Sequence, residues 1–340
     1  MIGPAPQDGP GPAAEARRSR RRTRLLRPPA GENWRARLAE AERAAEEEFR
    51  TVRVRGPGGW TRAVLRLSAL VLWALLAIPV QLVFVIAGRI SGRWGAARRF
   101  GRLYHWLNCV IIGISVRIVG RPEPHPPGRA VVFVSNHSSW LDVLVLGSVL
   151  EAAFVAKAEV GTWPLIRTVA RLGRTVFVSR RRSATGREAG EIALRLSEGA
   201  SVILFPEGTT SDGARVLPFR SALFGAIDPN GPAMSVQPVS LVYDRLNGLP
   251  LSRKLRFHFA WYGDMDIGSH AVRIAAEPNG RASVLFHPPI DVRAVSSRKA
   301  LADLTFAIIA DGAARLRTGR DEAAPSAAST PADGPDMRDA

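Results

Sequence analysis

The chain has one cysteine, Cys109, among 340 residues. That excludes an internal disulfide framework and any metal site built on cysteines. Histidine is scarce too, at six. None sits in a His-Glu-x-x-His spacing, so no metal is expected. The Gly-x-Ser-x-Gly elbow of many serine hydrolases is absent as well. Acidic residues are in deficit: 30 Asp and Glu face 47 Lys and Arg, a net charge of +17. A surface this basic suits an anionic partner, whether nucleic acid, anionic lipid or a phosphorylated substrate. There is no internal repeat.

What is present divides into four parts. Residues 1–60 form a basic extension, with Arg17, Arg18, Arg20, Arg21, Arg22 and Arg24 close together and a charged helix expected over 33–50. The start is too poor in apolar residues to build a core, and no apolar run follows the charges as in a secretory leader. Residues 61–117 are the hydrophobic part. Leu67 to Gly88 runs without a charge, long enough to cross a hydrocarbon core. Pro79 lies near its middle and predicts a kink. A second apolar stretch, Leu107 to Val116, predicts a companion helix. Arginines flank the first stretch on both sides (Arg62 and Arg66, then Arg89, Arg93, Arg98, Arg99 and Arg102). This gives the positive-inside rule no direction and favours a monotopic or re-entrant helical hairpin over a single span. Residues 118–317 alternate apolar runs with helical patterns, as α/β proteins do. The expected fold is α/β: a mixed, mostly parallel sheet flanked by helices, with the hydrophobic helix or hairpin as membrane anchor. Residues 318–340, rich in Pro and Ala, read as a disordered tail.

Within the α/β part, Ala130 to Val134 predicts a buried strand and Val143 to Leu150 a helix. Between them lie His137 and Asp142. Two residues five apart on one helix point about 140° away from each other. The pair can therefore meet only if His137 lies outside the helix and Asp142 in its first turn. Ser138 or Ser139 then serves as N-cap. The carboxylate can hold one ring nitrogen and leave the other as a general base. Taken alone, the pair is equally a capped loop with an incidental histidine. Two further polar groups fall at the ends of predicted strands: Arg180 after 174–179, and Glu207-Gly208-Thr209 after 201–205. Ligands gather at that edge of an α/β sheet. The glycine and hydroxyls of 206–213 suit backbone contact with a phosphate, and Arg180 and Arg220 could complete a clamp. Separately, the loop reads as a polar turn and Arg180 as part of a solvated run with Arg181 and Arg182.

Together these stretches resemble a known family. Asn136-His137 with Asp142 matches the first signature block of the glycerophospholipid acyltransferases, the group containing 1-acylglycerol-3-phosphate acyltransferase. Gly173 to Arg180 resembles the second block, Phe205 to Ser211 the third, and Gln237-Pro238-Val239 the fourth, departing from it at Gln237. The resemblance covers about residues 64–245. Trp261 to Asp266 and His287-Pro288-Pro289 are similar to a bacterial subset, some of whose members acylate lyso-ornithine lipid. The resemblance implies His137 as general base, Asp142 as its partner, and an acceptor site of Arg180, Glu207 and Gly208 with Thr209 and Arg220. It gives Asp264 and Asp266 no role, and loop capping is expected of them.

The implied reaction is transfer of a fatty acyl group from acyl-CoA or acyl carrier protein, used as co-substrate without any cofactor. The acceptor hydroxyl belongs to lysophosphatidate, giving phosphatidate, or alternatively to lyso-ornithine lipid. Backbone N–H groups after Ser138 are expected to hold the oxyanion. The implied setting is an anionic bacterial inner membrane, with the catalytic part facing the cytoplasm. A serine hydrolase using Ser138 or Ser139 and an anionic-membrane or nucleic-acid binding module are the rival readings. Neither accounts for the polar groups gathered at the strand ends, and nucleic acid is not expected as a partner.

Overall fold

The computed structural model describes residues 56–124, 130–157, 171–173, 175–178, 200–227 and 234–320, with single positions 168, 192, 194 and 196. The basic extension up to residue 55, with the charged helix expected at 33–50, most of 163–172 and 184–198, Arg180 and the C-terminal tail from 321 lie outside the described residues.

Two helices come first, α1 (Gly56–Ser91) and α2 (Gly95–Ile112). β1 (Ile114–Val119), β2 (Ala130–Ser135), α3 (Leu141–Val149), β3 (Ala153–Lys157), β4 (Val176–Val178) and β5 (Val202–Leu204) follow. Then come β6 (Met234–Leu246), β7 (Leu249–Pro250), α4 (Ile267–Ala276), β8 (Gly280–Phe286), β9 (Ile290–Asp291) and α5 (Arg298–Arg317). The strands form one sheet in the order β1-β8-β6-β2-β5-β3-β4, with β7 and β9 also paired to β6. β6, β2, β5, β3 and β4 run the same way. β8 runs against β6, and β1 follows β8. The sheet is thus mixed and mostly parallel, as its apolar runs imply.

All six residues of β2 are buried, because helices cover both faces of the sheet. Ala130, Val132 and Val134 point to the face packed by Phe306, Ile309 and Ala313 of α5. Val131 and Phe133 point to the other, with Leu141, Val145 and Leu146 of α3 and Cys109 and Ile112 of α2.

The hydrophobic part differs from its sequence reading in two respects. The second helix begins at Gly95, and the apolar stretch 107–116 is not one helix. Gly113 adopts a left-handed conformation (φ 86°) and turns the chain into β1, whose β-branched residues suit a strand. The boundary drawn at 117 therefore falls within a strand of the sheet. α1 runs through Pro79 without a break.

α1 is also fastened to the α/β part. Arg62 Nη1 donates to the Ala276 carbonyl at 2.8 Å. Arg66 donates to the carbonyls of Ala275, Glu277 and Pro278 at 3.3, 2.6 and 2.9 Å. These are the free carbonyls at the C-terminal end of α4, where a cation is favoured. Further along, Gln81 Nε2 donates to Ala97 and Leu172. α1 is long and apolar enough to cross a membrane by length and composition, and Leu65, Leu72, Leu75, Leu76, Val83 and Ile90 are exposed on it.

Candidate active site

β2 and β5 are neighbours, so the loops that leave their C-terminal ends meet. Asn136 continues the β2–β6 pairing with its side chain: Nδ2 donates to the Leu241 carbonyl and Oδ1 accepts from the Leu241 N–H, both at 2.8 Å. This fixes where the strand stops and His137 starts. The His137 N–H donates to Glu207 Oε1 at 2.8 Å, and its carbonyl accepts from Ser211 N at 2.9 Å. The ring lies flat on Phe205, with centroids 4.1 Å apart and planes 16° apart. Its side chain keeps 19% exposure beside a fully buried Asp142.

His137 Nδ1 is 2.8 Å from Asp142 Oδ2. His137 precedes the helix and Asp142 occupies its first turn, the geometry that the five-residue spacing demands. A carboxylate at Nδ1 selects the tautomer with its proton there and leaves Nε2 as the acceptor. Asp142 Oδ2 also accepts from the N–H groups of Ser138 and Ser139, at 2.7 and 2.9 Å. Oδ1 accepts from the Tyr243 hydroxyl at 2.8 Å.

Those bonds sharpen two expectations. Trp140, just before the helix, makes no side-chain cap bond; Ser139 supplies the cap, its Oγ accepting from Leu141 N at 3.3 Å, and Asp142 itself reaches back to the loop N–H groups. The Ser138 and Ser139 N–H groups are committed to that carboxylate, which takes Ser139 out of the set of N–H groups expected to hold the oxyanion.

Glu207 is placed beside His137 but faces inward. It is 2% exposed. Its second oxygen accepts from Leu217 N at 3.0 Å, so each oxygen is used by a backbone N–H. The side chain ties the 206–217 loop to the His137 loop. Burial pushes its carboxyl well above the usual range, while the two N–H donors pull it back down. Gly208 has φ 67°, and a Cβ there would lie 3.1 Å from Arg220 Nε. A glycine is thus required where the Arg220 side chain crosses the loop. Arg220 and Thr209 are exposed beside it. Arg180 lies outside the described residues.

Glu207→Gln should lower activity more than it unfolds the domain. One amide oxygen can still accept, but the amide nitrogen would face an N–H. We expect a loss of about 1–3 kcal/mol for that unsatisfied pair, read as a lower thermal midpoint with a larger fall in turnover. Equal retention of both would exclude the tie.

Sequence reasoning missed several contacts. Trp261 N donates to the Ser138 carbonyl at 2.8 Å, and Trp140 Nε1 donates to His270 Nδ1 at 3.0 Å. Burial holds His270 down to about 3, helped by Arg273 and His258, so it stays neutral and can accept. Gln237, the departure in the fourth block, has its own work. Its Nε2 donates to the Arg121 and His287 carbonyls, and its Oε1 accepts from Glu123 N. Asp266 caps α4, accepting from Ser269 N at 2.7 Å, which is the capping expected of it.

An acyltransferase family model matches residues 116–242, the span holding these loops. The chain is 40% identical over 250 residues to a lyso-ornithine lipid O-acyltransferase of Brucella abortus, covering 72% of this chain and 91% of that protein. A protein of the same description from Rhizobium meliloti is 35% identical over 251 residues, covering 72% and 83%. A 1-acyl-sn-glycerol-3-phosphate acyltransferase of Neisseria gonorrhoeae is 37% identical over 121 residues, 35% of this chain and 47% of that one. The crystal structure of the 1-acyl-sn-glycerophosphate acyltransferase of Thermotoga maritima shares the fold. Its TM-score is 0.53 at 21% identity, over 75% of this chain and 98% of that one. A histidine and aspartate at a strand end, on this fold and with relatives of this extent, make the chain a member of the glycerophospholipid acyltransferase family and an acyltransferase.

Proposed function

We propose that this chain is a lyso-ornithine lipid O-acyltransferase. The order of the two acceptors given by the sequence is thereby reversed, with lysophosphatidate the second reading. The observation that carries the choice is extent: relatives described as lyso-ornithine lipid O-acyltransferases match 72% of the chain, whereas the gonococcal lysophosphatidate-type relative matches 35%. The longer match takes in far more of the chain than the signature blocks.

In this reading His137 Nε2 takes the proton from the acceptor hydroxyl as its oxygen attacks the thioester carbonyl of acyl-CoA or acyl carrier protein. The tetrahedral intermediate collapses, the C–S bond breaks, and the thiolate leaves and recovers the proton. A thiol of ordinary pKa about 8.5 needs little help to leave. Asp142 orients the imidazole and balances its charge. Arg220 is the described cation nearest the Gly208 turn and suits the anionic group of either acceptor: a carboxylate in lyso-ornithine lipid, a phosphate in lysophosphatidate. Arg180 is proposed beside it.

We place the reaction at the cytoplasmic face of a bacterial inner membrane. α1 touches the α/β part at Arg62 and Arg66 and again at Gln81, positions about 28 Å apart along a helix. A helix docked over that length supports lying in one leaflet, apolar face outward, over crossing the bilayer. The arginines of α2 and the turn before it suit anionic headgroups.

The test offers purified protein, in vesicles with anionic lipid, a radiolabelled acyl donor as CoA thioester and as carrier-protein thioester, and each lysolipid separately. We expect kcat/KM for lyso-ornithine lipid at least tenfold above that for lysophosphatidate. The opposite ratio would restore lysophosphatidate as acceptor.

A further inference from the structure

Tyr243 stands outside every signature block, yet it is the residue that completes the bonding of Asp142. It lies on β6, 101 residues from Asp142 in the chain. Its ring is 7% exposed and stacks on Phe259, with centroids 4.9 Å apart and planes 18° apart. Phe259 is itself wedged against Gly280, where a Cβ would lie 2.6 Å from its ring. The hydroxyl therefore has one direction to point, toward Asp142 Oδ1.

Asp142 is fully buried and accepts four hydrogens: from His137 Nδ1, Ser138 N and Ser139 N at Oδ2, and from Tyr243 at Oδ1. Among the described residues, the bond to Oδ1 comes from Tyr243. We infer that Tyr243 is a positioning residue for acyl transfer, its hydroxyl sharing the charge of Asp142 and so setting how strongly protonated His137 is held during turnover.

The chemistry of the two groups agrees with this. Burial, then the charge of Asp142, push the Tyr243 phenol well above its usual range, so it remains a donor at every working pH. The other ionisable groups within reach are Glu207, whose charge adds to that of Asp142, and the Cys109 thiol on α2, which bears on Tyr243. Neither donates to Oδ1. If the hydroxyl is removed, more of the carboxylate's charge falls on the imidazolium. The protonated histidine is held more tightly, and the base is available only at higher pH.

The inference rests on His137 being the base, and the experiment separates the two. Full-length protein in vesicles would be assayed with lyso-ornithine lipid and an acyl thioester from pH 5 to 9, as parent, His137→Ala and Tyr243→Phe. Phenylalanine keeps the stack on Phe259, so the fold is expected to hold. Tyr243→Phe should lower kcat about tenfold at neutral pH with KM unchanged, and move the acid limb of the profile up by about half a unit or more. A fourth protein with 3-fluorotyrosine at position 243 gives a stronger donor of nearly the same size. Its acid limb should move the other way, which keeps the test decisive even if Tyr243→Phe is poorly folded. Acid limbs that coincide with the parent in the fluorinated protein would overturn the inference, whatever happens to stability. Turnover surviving in His137→Ala would sink the base assignment, and the role of Tyr243 with it.

Discussion

His137→Ala should abolish acyl transfer while leaving the protein folded and on its membrane. General base assistance is worth about 10²–10⁴ in rate, and no neighbour can replace it. Asp142 is fully buried and Glu207 has both oxygens on backbone N–H groups. The fold should survive because the loop does not depend on the imidazole. Asn136 remains paired with Leu241, the position 137 N–H still reaches Glu207, and Asp142 keeps its bonds from Ser138, Ser139 and Tyr243. What is lost is the stack on Phe205 and one hydrogen bond. The membrane contact proposed above is made elsewhere, by α1. Turnover with a radiolabelled donor and flotation with anionic vesicles would measure the two separately. Activity within tenfold of the parent would exclude His137 as base, and loss of flotation would mean that the site and the anchor are coupled.

The part of the site that was legible in sequence is the part that is local. His137 and Asp142 are five residues apart, and helix geometry alone decides on which side of the helix start each must lie. Glu207 could be placed, because β5 is a short apolar run that ends there, but its role could not. Whether a carboxylate faces a ligand or two backbone N–H groups depends on Leu217 and on β2 lying next to β5. Tyr243 was invisible for the same reason, since it follows an apolar strand like any partly polar strand end. The helix α4 and strand β1 were missed because their signals are weak alone. β1 was hidden inside an apolar run until Gly113 broke it, and it is held by parallel pairing with β8, from Ile114↔Gly280 to Val119↔Leu285. The mostly parallel character of the sheet could be read from continuous apolar strands alternating with helices. The reversal of β8 and β1 could not, because it is a property of the pairing.

Stability should fall steeply as the pH drops from about 6.5 toward 4, and buried histidines are the cause. Burial holds His258 down to about 4, with Arg273 adding to it. It holds His270 to about 3, and His287 to about 4, with Arg315 adding and Asp311 opposing. Burial keeps each of them neutral in the folded protein. His270 accepts from Trp140. His287 Nε2 meets Ser240 Oγ at 2.8 Å, whose hydroxyl is committed to the Ile309 carbonyl. In the unfolded chain all three titrate near 6.5. Between these values the unfolded chain binds three more protons through them, so stability rises with pH and is lost as pH falls. Glu207 works against this, because its raised value means the folded state binds a proton there that an unfolded glutamate has released. With His105 of α2, also held down to about 4 by burial, the histidines together differ by close to four protons near pH 5, a slope of about 5 kcal/mol per pH unit that Glu207 partly offsets. For a domain of ordinary stability, about 5–15 kcal/mol, that is enough to unfold it within a few units. Thermal midpoints from pH 7.5 to 5 in a mild detergent would show the slope, and His287→Gln, which can still donate to Ser240, should flatten it by about one proton. A midpoint that stays level across this range would mean that these histidines are solvated and charged in the folded protein. The Trp140–His270 bond would then not exist under those conditions.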